Sequence, residues 1–280
     1  MRRLSRCVLC VVTLWGAAAL AAPASTSSPL SGAQSGAQMM QCNSPDPAKA
    51  ILGCTAVIRA GVGGQNDLLS AAYSTRGTAY QKRGQDDLAL ADLNQAVKLD
   101  PKGSVGLRSR GDYYIAQNDF AHAMEDYNQA IANNPKGPEL FIQRGNAYMI
   151  NGDFMHALPD YEQAIALNPK LAAAYANRGE AYRTQGDDDK AIADFDQALR
   201  IEPKFVSAFV SRGLAEEDKG DSTKAIEDFT QAIRLDPKYV TAYDERASAY
   251  EHSGAHDKAM ADIAQAIKLD PQNPDAHKLQ

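Results

Sequence analysis

The chain is short of the residues on which most catalytic sites are built. It has one tryptophan, five histidines and four cysteines in 280 residues. The tryptophan, Trp15, and two of the cysteines, Cys7 and Cys10, fall within the first 24 residues. No glycine-rich phosphate loop, no nucleophile elbow and no His-Glu-x-x-His pattern occurs. The histidines are His122, His156, His252, His256 and His277. Of these only His252 and His256 stand four apart, and they straddle a predicted bend rather than sharing a helix face, so they make no metal pair. Positive charge is also in deficit, with 29 basic against 35 acidic residues. That balance excludes the basic stripe of a nucleic-acid binder and attraction to an anionic membrane surface. These absences point to no catalytic residue, no metal and no cofactor.

No apolar run approaches the ~20 residues of a membrane span. The longest, residues 7–20, follows Arg2, Arg3 and Arg6 and precedes small residues at 19–24. This order is that of a secretory signal peptide over residues 1–24, cleaved near Ala21 to Ala24, with an uncleaved anchor as the alternative. Cys7 and Cys10 lie too early for a lipid-attachment site. Removing the three arginines leaves 26 basic against 35 acidic residues. Two cysteines remain, Cys42 and Cys54. An even count in an exported chain predicts a disulfide. Asp46-Pro47 reads as a helix cap and first turn. Cys54 then stands about 12 Å up that helix, and the four steps from Cys42 to Asp46 reach roughly 14 Å. Closing that loop is worth on the order of 3 kcal/mol. A metal or redox pair is the rival reading, without further ligands nearby.

What the chain does have is a period. Prolines stand at 101, 135, 169, 203, 237 and 271, always 34 residues apart. Six units result: 70–103, 104–137, 138–171, 172–205, 206–239 and 240–273. The fourth residue is large (Tyr73, Leu107, Phe141, Tyr175, Phe209, Tyr243). The eighth is glycine, then alanine at Ala247. The eleventh is tyrosine except at Glu216. The twentieth and twenty-seventh are always alanine, and the twenty-fourth is large (Leu93, Tyr127, Tyr161, Phe195, Phe229, Ile263). Large residues at these offsets share one helix face, and the small ones allow two helices to approach closely. A glycine marks the bend in most units, and Asp153, Asp187 and Asp221 are N-cap candidates. The proline ends the second helix. Each unit is a helical hairpin that buries its apolar face only by stacking.

This pattern resembles the tetratricopeptide (TPR) repeat, and it covers residues 70–273. The resemblance implies an all-α fold, a right-handed solenoid of stacked hairpins. It also implies a non-enzymatic adaptor that holds a protein or peptide segment in its concave groove, here of the exported bacterial type. Two further positions recur outside the usual signature. The seventh residue is always arginine (Arg76 to Arg246) and the twenty-third always aspartate (Asp92 to Asp262). Forked guanidinium–carboxylate pairs along the helix seam are the better reading, over an anion-binding ladder.

The remaining segments follow from this frame. Residues 25–41 read as a flexible linker rich in Ser, Ala, Gly and Gln. Residues 42–69 read as a partial repeat closing the start of the stack, with Ala50, Cys54 and Val57 in its small–large–small spacing. Residues 274–280 form a tail too short for a further hairpin, so Ile263 and Ile267 are expected to be incompletely covered. Glu216 and Pro159, the latter inside a second helix, are expected to mark local bends.

In TPR proteins the second, fifth, ninth and twelfth residues of each unit line the groove. The resemblance places Arg108, Asp112, Glu139, Ile142, Asn146, Met149, Glu180, Arg183, Glu217, Asp244 and Glu251 there. Ser74, Thr78 and Ile142 stand where a carboxylate clamp would need lysine and asparagine. An acidic and apolar groove suits an extended or helical partner carrying basic residues. Cell-envelope assembly or regulation in the periplasm, or secretion, is the implied setting. Alternatives are a self-assembling structural protein joined through its C-terminal end and a secretory-lumen co-chaperone.

Overall fold

The computed structural model describes residues 39–61 and 65–272. The signal peptide, most of the predicted linker and the tail lie outside these residues. Thirteen helices follow one another among them: α1 Pro47–Ala60, α2 Asn66–Gln81, α3 Asp86–Leu99, α4 Ser104–Ala116, α5 Phe120–Asn133, α6 Pro138–Ile150, α7 Phe154–Leu167, α8 Ala172–Gln185, α9 Asp188–Ile201, α10 Val206–Asp218, α11 Ser222–Leu235, α12 Val240–His252 and α13 His256–Leu269. The chain forms two compact units, divided at residues 147 and 148. In the N-terminal unit α2 packs on α3 and α4 on α5. In the C-terminal unit α8 packs on α9, α10 on α11 and α12 on α13. Each pair is one hairpin, and successive pairs stack.

Local chemistry sets the ends of these helices. Asp153, Asp187 and Asp221 each accept a hydrogen bond from the backbone N–H three residues on. Asp119 does the same for α5. The bend before it is turned by Asn118 at φ 59°, in place of the glycine that turns most of the others; asparagine tolerates that left-handed geometry. Every second helix from α3 onward stops two residues before its proline, because the prolyl ring disfavours helical geometry in the residue ahead of it. Pro159 sits inside α7 without interrupting it. The carbonyl left without an N–H partner belongs to Met155, which is exposed to water.

Within a hairpin the eighth and twenty-fourth residues fit together. A Cβ added at Gly213 would lie 2.6 Å from Phe229, one at Gly179 2.9 Å from Phe195, and one at Gly77 2.9 Å from Leu93. Glycine is what lets the large side chain lie against the facing helix. The last hairpin solves the same contact differently, with Ala247 against the slimmer Ile263.

Between hairpins a second set of contacts recurs. The twenty-first residue packs with the small tenth residue of the next unit: Met124 with Ala147, Leu158 with Ala181, Ile192 with Ala215 and Ile226 with Ala249. The twenty-eighth packs with the third, as in Leu199 with Ala208 and Ile233 with Ala242. Between these contacts runs the arginine seam. Arg110 grips Asp126 with Nε and Nη2, both at 2.8 Å, and its Nη1 reaches back 2.8 Å to Asn94. Arg76, Arg212 and Arg246 do likewise with Asp92, Asp228 and Asp262, and reach back to Thr55, Asp196 and Thr230. Arg178 forks onto Asp194. Arg76, Arg144, Arg178, Arg212 and Arg246 also lie over one or two rings of their own first helices, Arg178 over Tyr175 and Tyr182. The arginines are thus structural: each ties its hairpin together, and most also tie it to the preceding helix.

The start of the stack is built as expected and begins earlier than expected. Asp46 caps α1, accepting from the N–H of Ala48 and Lys49. The Cys42 and Cys54 sulfurs are 2.00 Å apart, at bonding distance. Residues 39–41, read as the end of a flexible linker, form a helical turn with Cys42, and Met39 packs on the cluster of Cys42, Cys54, Val57 and Ala72. The tie to Cys54 and that burial order the turn. Helix α2 likewise begins at Asn66, one turn ahead of the repeat frame, with Asp67 favouring its N-terminal end. Helix α1 stands in for the second helix of a preceding repeat, because Thr55 supplies the acceptor for Arg76.

At the other end, Ile263 is 1% exposed, contrary to expectation, whereas Ile267 is only half-buried, as expected. The twenty-fourth residue points into its own hairpin, where Ala247 covers it. The exposed apolar residue is Met260, at the twenty-first position.

Candidate functional site

The first helices carry the predicted binding residues, and each compact unit presents its own set. In the N-terminal unit these are Arg108, Asp112, Glu139, Ile142 and Asn146. Asp112 accepts a hydrogen bond from the Tyr127 hydroxyl at 2.6 Å. Burial pushes its carboxyl up to about 6, against the opposing pull of that hydrogen bond and of the Arg108 charge. Burial and the adjacent Asp112 hold the Tyr127 hydroxyl well above its ordinary value, so it stays a donor. The Nε of Arg108 is buried without a hydrogen-bond partner. Ile142 is buried, whereas Glu139 is exposed.

In the C-terminal unit the residues are Met149, Glu180, Arg183, Glu217, Asp244 and Glu251. Met149 is buried with Ala157, Tyr161 and Ala181. Glu180 and Arg183 are one turn apart on α8 and both buried, at 2% and 6% exposure. Arg183 donates to both Glu180 oxygens, at 2.8 and 3.3 Å, and to Asp218 of α10 at 3.0 Å. Those two residues therefore form a closed internal network rather than an open contact surface. One hairpin on, Glu217 of α10 meets His252 of α12 at 2.8 Å. Glu251, at the equivalent place in the last hairpin, meets His256 at 2.7 Å. The side chains of Asp218, Glu217 and Glu251 are 27%, 16% and 36% exposed, and the Oε1 of Glu217 is buried without a hydrogen-bond partner.

Asp218 was not singled out in the sequence, and His252 was weighed only as half of a metal pair with His256. Both stand at the thirteenth position of their units, each 35 residues after its partner. A search for oppositely charged pairs one repeat plus one residue apart finds Arg183 with Asp218 and Glu217 with His252. The rings of His122 and His156 meet the capping carboxylates Asp119 and Asp153 at 2.6 and 2.7 Å and stack on Tyr114 and Tyr148. Lys190 and Lys258 cover Tyr182 and Tyr250 from the same nineteenth position. In the fifth unit Glu216 replaces that tyrosine, and Lys224 turns to it at 3.6 Å. The missing ring is thus replaced by an ion pair, and Glu216 remains buried.

Among the described residues, no group of three or more His, Cys, Asp or Glu is placed to hold a metal. No described helix is long and apolar enough to cross a membrane.

Family models agree with this architecture. Those for the tetratricopeptide repeat match residues 70–102, 142–204 and 210–274, and a further TPR-repeat model matches 111–152. The chain belongs to the tetratricopeptide repeat family. No curated protein sequence matches it. Among solved structures, it is similar to PilW, a type IV pilus biogenesis factor, with TM-score 0.67 and 21% identity over 75% of this chain and 98% of that one. It is similar to a tetratricopeptide repeat protein of Parabacteroides merdae, with TM-score 0.66 and 20% identity over 88% and 97% of the two chains. It is also similar to MamA, with TM-score 0.52 and 25% identity over 58% and 95%. These likenesses establish the fold, that of a TPR scaffold. TPR proteins bind protein or peptide partners.

Proposed function

We propose that this TPR protein is a non-catalytic adaptor of the cell envelope, exported by residues 1–24, that binds a basic segment of a partner protein on its first-helix face. The observation that carries this reading is the charge balance of that face in the C-terminal unit. Its arginine, Arg183, is already engaged by Glu180 and Asp218, whereas Glu217 and Glu251 are partly exposed side chains that each meet an imidazole, not a lysine or arginine, through one carboxylate oxygen. Val210 and Leu214, on the same helix as Glu217, supply apolar packing beneath. Such a surface attracts lysine- or arginine-bearing segments and repels acidic ones. The envelope setting is supported by the order of the first 24 residues and by the likeness to PilW.

The test is affinity capture from envelope extract with residues 25–280 as bait, at low and moderate salt, beside the Glu217→Gln, Glu251→Gln double variant. A partner enriched by the parent, released by salt and lost with the variant is expected. Equal capture by both proteins places the site elsewhere. Glu180 is unsuited to this test, because its removal leaves the buried Arg183 without the carboxylate that accepts from both its Nε and its Nη2.

A further inference from the structure

A second surface lies at the far end of the stack, away from the first-helix face. Helix α13 is the last helix among the described residues, and it exposes the side on which every earlier second helix receives the next hairpin. Met260 is 50% exposed there, whereas its equivalents Leu90, Met124, Leu158, Ile192 and Ile226 are all half-buried against a following helix. Ile267 lies on the same side and is half-buried. One residue breaks the template. At the twenty-fifth position, Asn94, Asn128, Asp196 and Thr230 each accept a hydrogen bond from the next unit's arginine, and Glu162 sets its carboxylate charge near Arg178 without a hydrogen bond. The last unit has Ala264, which accepts none and is exposed.

This substitution determines what fits. All six units of this chain bring an arginine to that point. Against Ala264 such an arginine would lose the acceptor on the preceding helix that its equivalents use, at a cost in free energy. A second copy is disfavoured from its own side as well, since α1 already covers its first hairpin and Thr55 already engages Arg76. The contacts on either side of Ala264 are still those of the template. They call for a helix with a small residue against Ile267 and another, seven positions on, against Met260.

We propose that the exposed side of α13, centred on Met260 and Ala264, docks an α-helix of a partner protein that presents small residues seven apart and an uncharged residue four after the first. This site is separate from the carboxylate face.

The probe is a fluorescent, helix-locked peptide of sequence 240–252. It carries Ala242 and Ala249 at the required spacing, and either Arg246 or Arg246→Leu between them. Titrated with the full chain, the leucine peptide is expected to bind at least about tenfold tighter than the arginine peptide, a difference of about 1.4 kcal/mol. Ala264→Asn should restore the acceptor and narrow or reverse that preference. Met260→Glu should abolish binding. Both positions are exposed, so neither variant threatens the fold. Glu217→Gln, Glu251→Gln should leave peptide binding unchanged, which separates this site from the face proposed above. The proposal is overturned by failure of both peptides to bind, or by a preference that Ala264→Asn leaves unaltered. Binding seen only after residues 273–280 are deleted would overturn it too, assigning the surface to this chain's own tail. So would mass that grows with concentration and is lost with Met260→Glu, assigning it to a second copy.

Discussion

Asp112 is the carboxylate whose burial makes the stability of this chain depend on pH just below neutrality. Its folded value of about 6 lies above the ordinary 3.8. Between those values the folded chain holds a proton that the unfolded chain has released. Rising pH across that window therefore removes stability, and the full penalty is present above pH ~6. Asp112→Asn keeps an acceptor for Tyr127 and has no charge to bury. It should unfold like the parent near pH 4, and above pH 6 it should be more stable by about 1–2 kcal/mol, after allowing for the partial exposure of the site. Denaturant melts of both proteins from pH 4 to 7.5 check this. A constant difference across the range would show that Asp112 does not titrate in that window. The same burial explains why Tyr127 donates rather than ionises, and why Arg108 stands beside the pair.

At the scale of the helix pair, stability rests on how closely two helices approach, and the eighth and twenty-fourth residues set that distance jointly. Gly213 leaves 2.6 Å between a would-be Cβ and the Phe229 ring, so Gly213→Ala should force the ring or the helix aside and cost about 1–3 kcal/mol. The last hairpin shows the remedy, since Ala247 is accommodated by Ile263, at 1% exposure. Gly213→Ala with Phe229→Ile should therefore be more stable than Gly213→Ala alone. Thermal melts of the two variants and the parent decide it; simple additivity of the two losses would mean that the contact is not shared. The arginine seam acts at the same scale. Arg212 forks onto Asp228 and reaches Asp196 on the preceding pair. Its position recurs in every unit because one side chain serves two interfaces.

At the scale of the whole molecule, the first and the last described hairpins are finished differently. The N-terminal end is covered by α1, fastened through Cys42 and Cys54, and the C-terminal end exposes Met260. Oxidised protein of residues 25–280 should contain no free thiol, and reduction should lower its melting temperature, consistent with loss of on the order of 3 kcal/mol. Two thiols found by titration before reduction would refute the tie. Much of this architecture was legible beforehand. The 34-residue period determined where helices begin, bend and end. It also determined which residues of a hairpin meet, because that geometry is local and repeats with the sequence. The pairing of the seventh and twenty-third residues follows from it directly, and the cap at Asp46 was legible in the Asp46-Pro47 pair. What only the tertiary structure decided lies between hairpins. Glu180 and Arg183 looked like surface charges until Asp218, 35 residues on, closed over them. Met260 was not marked out by the sequence, and it is bare because no following helix among the described residues covers it. In each case a residue's neighbours come from an adjacent helix whose rotation and register the sequence of one unit does not specify. Burial is therefore determined by the stack and not by the repeat alone.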